Sequence, residues 1–152
     1  MEYKFEIFKQ EAQPVLSIRK RTSVDKLSDE IGKAYGVIME YMNEVGEQPL
    51  EAPFVAYYNL DMSDLDVEMG FPVSKPIAGR GDINQSKIPA SRCVSYLYKG
   101  PYNGMEPVYN AMTQWIAEQG YTPTGIAYEY YFNSPNEVPE SELLTKIVFP
   151  LK

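Results

Sequence analysis

The chain has 152 residues, 44% of them hydrophobic and 23% charged, a globular composition long enough for one domain with its own core. A formal charge of −7 disfavours nucleic-acid binding through phosphate neutralisation, and no apolar run approaches the roughly 18 residues needed to span a bilayer. The absence of histidine excludes Ser-His-Asp and Cys-His catalysis and imidazole-bound zinc, while the lone Cys93 excludes an internal disulfide or a multi-cysteine metal site. No metal or cofactor is expected.

From the N-terminus, "MEYKFEIFKQ" carries charges too frequently for a signal peptide, so a cytoplasmic protein is expected. "VLSIRKR" (15–21) alternates as a strand, with Leu16 and Ile18 on one side and Val15, Ser17 and Arg19 on the other. Apolar residues at helical spacing, from Leu27 through Ile31, Ala34, Ile38, Tyr41 and Met42, predict a helix from Val24 to Val45, stopped by Gly46. "FVAYYNL" (54–60) reads as a strand, the acidic "DMSDLD" as a solvated loop, and "EMGFPV" (68–73) as another strand. "GRGDIN" (79–84) is an exposed connection.

The pattern then repeats. "VSYLYKG" (94–100) is a strand, and Val108, Met112, Trp115 and Ile116 predict a helix from Met105 to Gln119, closed by Gly120. Trp115 lies on the apolar stripe, which suits either core packing or the floor of a pocket. "IAYEYYFN" (126–133) is a strand, "SPNEVPES" a loop, and "KIVFPL" (146–151) the last strand. Residues 41–59 lie over 115–133 at one offset, matching Gly46 with Gly120, Pro49 with Pro123, and Tyr57-Tyr58-Asn59 with Tyr131-Phe132-Asn133. The expectation is one domain over 1–152 made of tandem repeats, about 1–75 and 83–152, each ordered strand, helix, strand, strand.

Thirteen tyrosines supply flat apolar area with polar tips, suited to a partly wet cavity or simply to a strand surface. Alternation on 126–132 groups Glu129 with Tyr131, and its repeat mate groups Val55 with Tyr57. The bulkier set, Tyr128, Tyr130 and Phe132, is assigned to the helix side. Glu129, Tyr131, Val55 and Tyr57 are therefore expected on the opposite, groove-lining face. A carboxylate buried there is either protonated, hydrogen-bonded by tyrosine hydroxyls, or ion-paired with Lys146 or Arg92.

Gly100-Pro101-Tyr102 before the second helix, Trp115 within it, Glu129-x-Tyr131 with Asn133-x-Pro135, and Thr145-x-Ile147-x-x-Pro150 together resemble the GyrI-like family, the effector-binding domains of bacterial transcription activators. The likeness is dense over 89–151 and extends over 1–75. It implies an α+β fold: a tandem βαββ repeat with pseudo-twofold symmetry, an antiparallel concave sheet, two helices on one side and a central groove. It also implies a lipophilic, often cationic, small-molecule ligand whose charge meets Glu129 while aromatic rings such as Tyr131 stack on it. Strand parity adds Tyr57, Val55, Tyr96, Tyr98 and Glu68 as lining candidates, with Trp115 as the possible floor. Members occur alone or fused to DNA-binding domains. The chain begins too near its first strand for a helix-turn-helix, so direct DNA contact is not expected. Some lone members resemble a protein that modulates DNA gyrase, so gyrase or a regulator is a possible protein partner; others resemble hydrolases that open cyclopropane rings. Binding without turnover is the preferred expectation, with Glu129 the catalytic residue if the protein is an enzyme.

Overall fold

A computed structural model of the protein describes residues 3–152. In chain order the elements are β1 (Glu6–Gln10), β2 (Gln13–Thr22), α1 (Val24–Val45), β3 (Phe54–Tyr57), β4 (Leu65–Pro72), β5 (Asn84–Ile88), β6 (Ser91–Lys99), α2 (Glu106–Glu118), β7 (Ala127–Tyr131) and β8 (Leu144–Pro150). Helix α1 has the expected bounds. Ser23 enters it from an extended conformation, and Gly46 leaves it with φ 75°, a left-handed geometry that glycine adopts without a Cβ clash. The amides of Gly46 and Glu47 then satisfy the carbonyls of Asn43 and Met42.

The described chain divides into two compact units, and each is an antiparallel sheet with a helix on it. The N-proximal unit, Ala12–Pro89, orders its strands β3-β4-β2-β5. Its helix lays Ile38, Tyr41 and Met42 on Leu16 and Phe71 of the sheet, with the Tyr35 ring tilted against that of Phe71 at 5.2 Å. The C-proximal unit, residues 3–11 with Ala90–Lys152, orders its strands β1-β6-β8-β7. Here α2 buries Val108, Met112 and Ile116, and its Tyr109 meets Phe149 of β8 edge to face at 5.2 Å. Both units contain the predicted strand, helix, strand, strand order, and the fold is α+β as the resemblance implies. No helix among the described residues is long and apolar enough to cross a membrane.

Two strands were absent from the sequence reading. β1 forms where charges interrupt "EIFKQ", and it pairs with β6 as an edge strand of the C-proximal unit. The polar β5 pairs with β2 at an edge of the N-proximal unit. Edge strands tolerate polar and charged side chains because one of their borders faces no partner strand. That tolerance removes the apolar alternation by which a strand is recognised.

Hairpin closure follows the same chemistry in both units. Asn59 accepts from the Asp66 amide at 3.0 Å and donates to the Asp64 carbonyl at 3.0 Å. Its repeat mate Asn133 accepts from the Leu144 amide at 2.9 Å and donates to the Glu142 carbonyl at 3.1 Å. An asparagine offers both a donor and an acceptor, so one side chain clamps both polar groups of the returning strand.

The core location predicts a sharp contrast between adjacent residues. Ile38 is fully buried whereas Val37 is half exposed. In urea unfolding, Ile38→Ala should cost about 2–5 kcal/mol, and Val37→Ala no more than about 0.5 kcal/mol.

Candidate functional site

β7 sets Glu129 and Tyr131 two residues apart, hence on one face of the strand. The register with β8 and β6 extends that face: Glu129 lies opposite Ile147, which lies opposite Tyr96, and Tyr131 lies opposite Thr145, which lies opposite Tyr98. Directly opposed antiparallel residues share a face, so these rows form one surface. Helix α2 covers it, because its Tyr109 reaches down to donate a hydrogen bond to Glu129 Oε2. The Tyr131 hydroxyl donates to the other carboxylate oxygen at 2.7 Å.

That geometry corrects the predicted facing. Glu129 and Tyr131 lie on the helix side of their sheet, not opposite it. In the N-proximal unit the same holds: Val55 and Tyr57 pair in register with Met69 and Val67, which alternate with Phe71 on the face that α1 covers. Bulk misassigned the faces because the other set is buried too, with Tyr128 and Val148 nearly inaccessible. When both faces of a sheet are covered, side-chain size does not distinguish them.

Glu129 is only 8% exposed and has no basic partner among the described residues. The alternative ion pairs do not form. Lys146 lies opposite Tyr130 and places its ammonium over the Phe8 ring, whereas Arg92 donates to the Tyr121 hydroxyl. Burial raises the Glu129 pKa, and the hydrogen bonds from Tyr109 and Tyr131 oppose that rise. A buried carboxylate satisfied by hydroxyls and lacking a counter-charge is chemically poised for a cation.

Around it stand further aromatics. Tyr102, in the 3₁₀ turn Tyr102–Gly104, packs edge to face on Tyr131 with centroids 5.8 Å apart. Burial, with the Glu129 charge as a second cause, raises the Tyr102 pKa. Tyr98 locks this turn: its hydroxyl donates to the Pro101 carbonyl at 2.7 Å, and its ring lies against Gly100 and Gly104. A Cβ on Gly104 would come within 2.3 Å of that hydroxyl, which explains the glycine. Trp115 is half buried and packs on Phe5, which in turn packs on Tyr96.

Within this unit the structure thus joins Glu129 with Tyr131 directly, and places Tyr96 and Tyr98 on their face. Val55, Tyr57 and Glu68 belong to the N-proximal unit. Val55 is fully buried and Tyr57 half buried on the α1 side. Glu68 lies on the other face of its sheet, opposite Arg19 and Ala56 in register, and accepts from Ser17 and Tyr58, each at 2.5 Å. Sequence reasoning missed Tyr109, which was read only as part of a helix. Its position three residues before Met112 on the buried stripe was the available signal.

One family model matches residues 3–152, that of the GyrI-like small molecule binding domain. The chain belongs to this family. Among solved structures, EcmrR in complex with DNA aligns over 99% of this chain at 24% identity and a TM-score of 0.87, although the chain spans only 57% of that protein's length. The isolated EcmrR C-terminal domain aligns over 100% of this chain and 99% of its own, with 25% identity and a TM-score of 0.77. A hydrolase from Listeria innocua shares the fold at 13% identity and a TM-score of 0.70, over 99% of this chain and 93% of its own. SAV2435, solved bound to tetraphenylphosphonium, shares it at 11% identity and a TM-score of 0.65, over 100% of this chain and 94% of its own.

In this GyrI-like domain, two other groups fall outside the chemistry. Cys93 is buried, and that burial raises its thiol pKa, so the reactive thiolate is suppressed. Asp64 in the loop and Asp66 at the start of β4 pair at 2.8 Å with Arg21 and Arg19, respectively.

The raised Glu129 pKa has a thermodynamic consequence. The folded protein holds this proton more tightly than the unfolded chain, so the stabilisation is complete below the ordinary value of 4.5 and is lost as pH rises through the folded pKa. Glu129→Gln cannot ionise. Urea unfolding from about pH 4 to about pH 8 should show the wild type losing stability relative to Glu129→Gln as pH rises. Parallel curves for the two proteins would contradict a desolvated Glu129.

Proposed function

We propose that this domain captures a lipophilic aromatic cation in its C-proximal unit, with the positive charge against Glu129 and aromatic rings against Tyr131 and Tyr102. The observation that carries the reading is a carboxylate more than nine-tenths buried whose oxygens meet only tyrosine hydroxyls among the described residues. An incoming cation supplies the missing counter-charge, and tyrosine faces add about 0.5–2 kcal/mol each by cation–π contact. Tyr96 and Trp115 continue the aromatic lining along the same unit. The tetraphenylphosphonium bound to SAV2435, a protein of the same fold, supports the ligand class.

Proton affinity favours a second reading. A glutamic acid that keeps its proton above the ordinary range, with a tyrosine hydroxyl on each oxygen, is also suited to general acid catalysis. Under that reading Glu129 gives its proton to a ring carbon of a cyclopropane-bearing substrate as the strained C–C bond breaks, water's oxygen bonds to the other carbon, and the proton that water gives up returns to the Glu129 carboxylate. Product would then accumulate with wild-type protein and not with Glu129→Gln.

Calorimetric titration with tetraphenylphosphonium tests the binding proposal. Wild-type protein should bind, and Glu129→Gln should weaken binding by about 10-fold or more, the scale expected for removing one member of a buried charge pair. Equal affinity in the two proteins would exclude charge pairing at Glu129.

A further inference from the structure

Thr145 is completely buried in the middle of β8, and its hydroxyl makes no hydrogen bond among the described residues. Its place is specific. It lies on the α2-facing side, opposite Tyr98 on one flanking strand and opposite Tyr131 on the other. Each of those tyrosines has committed its hydroxyl elsewhere, Tyr98 to the Pro101 carbonyl and Tyr131 to Glu129. Glu129 itself is the diagonal neighbour of Thr145, two positions along β8 from the residue directly opposite it, a separation of about 7–8 Å between backbones.

A threonine hydroxyl offers one donor and two acceptor positions. Burying it without a partner forfeits its hydration, a penalty that valine, with nearly the same shape, avoids. Every other side-chain polar atom that is wholly shielded from solvent has a partner among the described residues. The single exception therefore lies diagonal to Glu129, the buried carboxylate of the same unit, which has no basic partner among the described residues.

We infer that Thr145 is a specificity residue of the Glu129 site, whose hydroxyl pairs with a hydrogen-bonding group on the ligand. This inference rests on the proposed capture of aromatic cations and narrows it. The preferred ligand is an aromatic cation bearing a hydroxyl, amine or carbonyl group about one ring's width from its charge. A purely hydrocarbon cation satisfies Glu129 and leaves Thr145 unpaired.

Matched ligands separate the two contributions. Tetraphenylphosphonium carries no hydrogen-bonding group, whereas the ortho, meta and para isomers of (hydroxyphenyl)triphenylphosphonium each add one hydroxyl. One isomer should bind wild-type protein about 5- to 10-fold more tightly than the parent cation, the scale of one buried neutral hydrogen bond. Thr145→Val should abolish that preference while leaving tetraphenylphosphonium affinity unchanged, whereas Glu129→Gln should weaken both cations together. Thermal unfolding of ligand-free Thr145→Val should occur at the wild-type temperature or above it. The inference is overturned if no isomer gains affinity, or if the gain survives in Thr145→Val. A lowered unfolding temperature also overturns it, because the hydroxyl would then be serving the free fold. If wild-type protein binds none of these cations, the capture proposal itself fails and this inference falls with it.

Discussion

Much of the C-proximal unit is organised by the cost of burying Glu129. An isolated carboxylate in a dry interior costs several kcal/mol, and the usual remedy is an arginine or lysine. Here two phenols serve instead, one from α2 and one from the same strand. Hydroxyl donors lower the cost of the ionised form without supplying an opposite charge. An arginine in their place would have made a more self-sufficient structure, with no charge left for the proposed ligand to meet. The requirement also fixes packing: α2 must lie close enough for Tyr109 to reach the sheet, and its contact with Phe149 holds the ring at that depth.

The N-proximal unit solves a similar problem to a different end. Glu68 is as buried as Glu129 and is likewise met by two hydroxyls, from Ser17 and Tyr58. Yet the Arg19 guanidinium stacks 3.9 Å over the Tyr58 ring while pairing with Asp66, so a cation is already resident beside that cluster. Glu68 also lies on the sheet face away from α1, whereas Glu129 lies under its helix. Valine occupies the N-proximal position that corresponds to Glu129, and it is simply core. The two units share a scaffold, down to the paired asparagine clamps, while the chemistry of their helix-covered faces differs.

Which parts of this were legible follows from the range of each interaction. Helix limits are local: spacing, a glycine stop and an extended entry residue set the bounds of α1 within its own segment. The pairing of Glu129 with Tyr131 is also local, because strand geometry alone puts residues i and i+2 side by side. The partner Tyr109 is not local, since it depends on how deeply a helix settles on a sheet 20 residues away in sequence. The side of the sheet that faces the helix was misread for the same reason. Polar β1 and β5 were invisible because pairing at an edge depends on a neighbouring strand, not on an apolar pattern of their own. Thr145 entered only as a motif letter; its isolation becomes meaningful once the register shows Tyr98 and Tyr131 on either side of it.

Rigid and adjustable parts of the site are consequently distributed in a definite way. Glu129, Tyr131 and Thr145 stand on strands whose ladder hydrogen bonds fix their spacing, so the distance between charge and hydroxyl is set by the sheet. Tyr109 stands on a helix held by side-chain packing, and Tyr102 on a single turn pinned through Tyr98. These two tyrosines are the parts that can yield without breaking a ladder. Under the proposed capture, a cation approaching Glu129 meets a carboxylate oxygen already bonded by the Tyr109 hydroxyl, and it supplies the opposite charge that a neutral donor cannot. On the proposed reading, charge is recognised from rigid strands and bulk is admitted by the helix and turn, a division that lets aromatic bodies of different shape share one anchoring geometry.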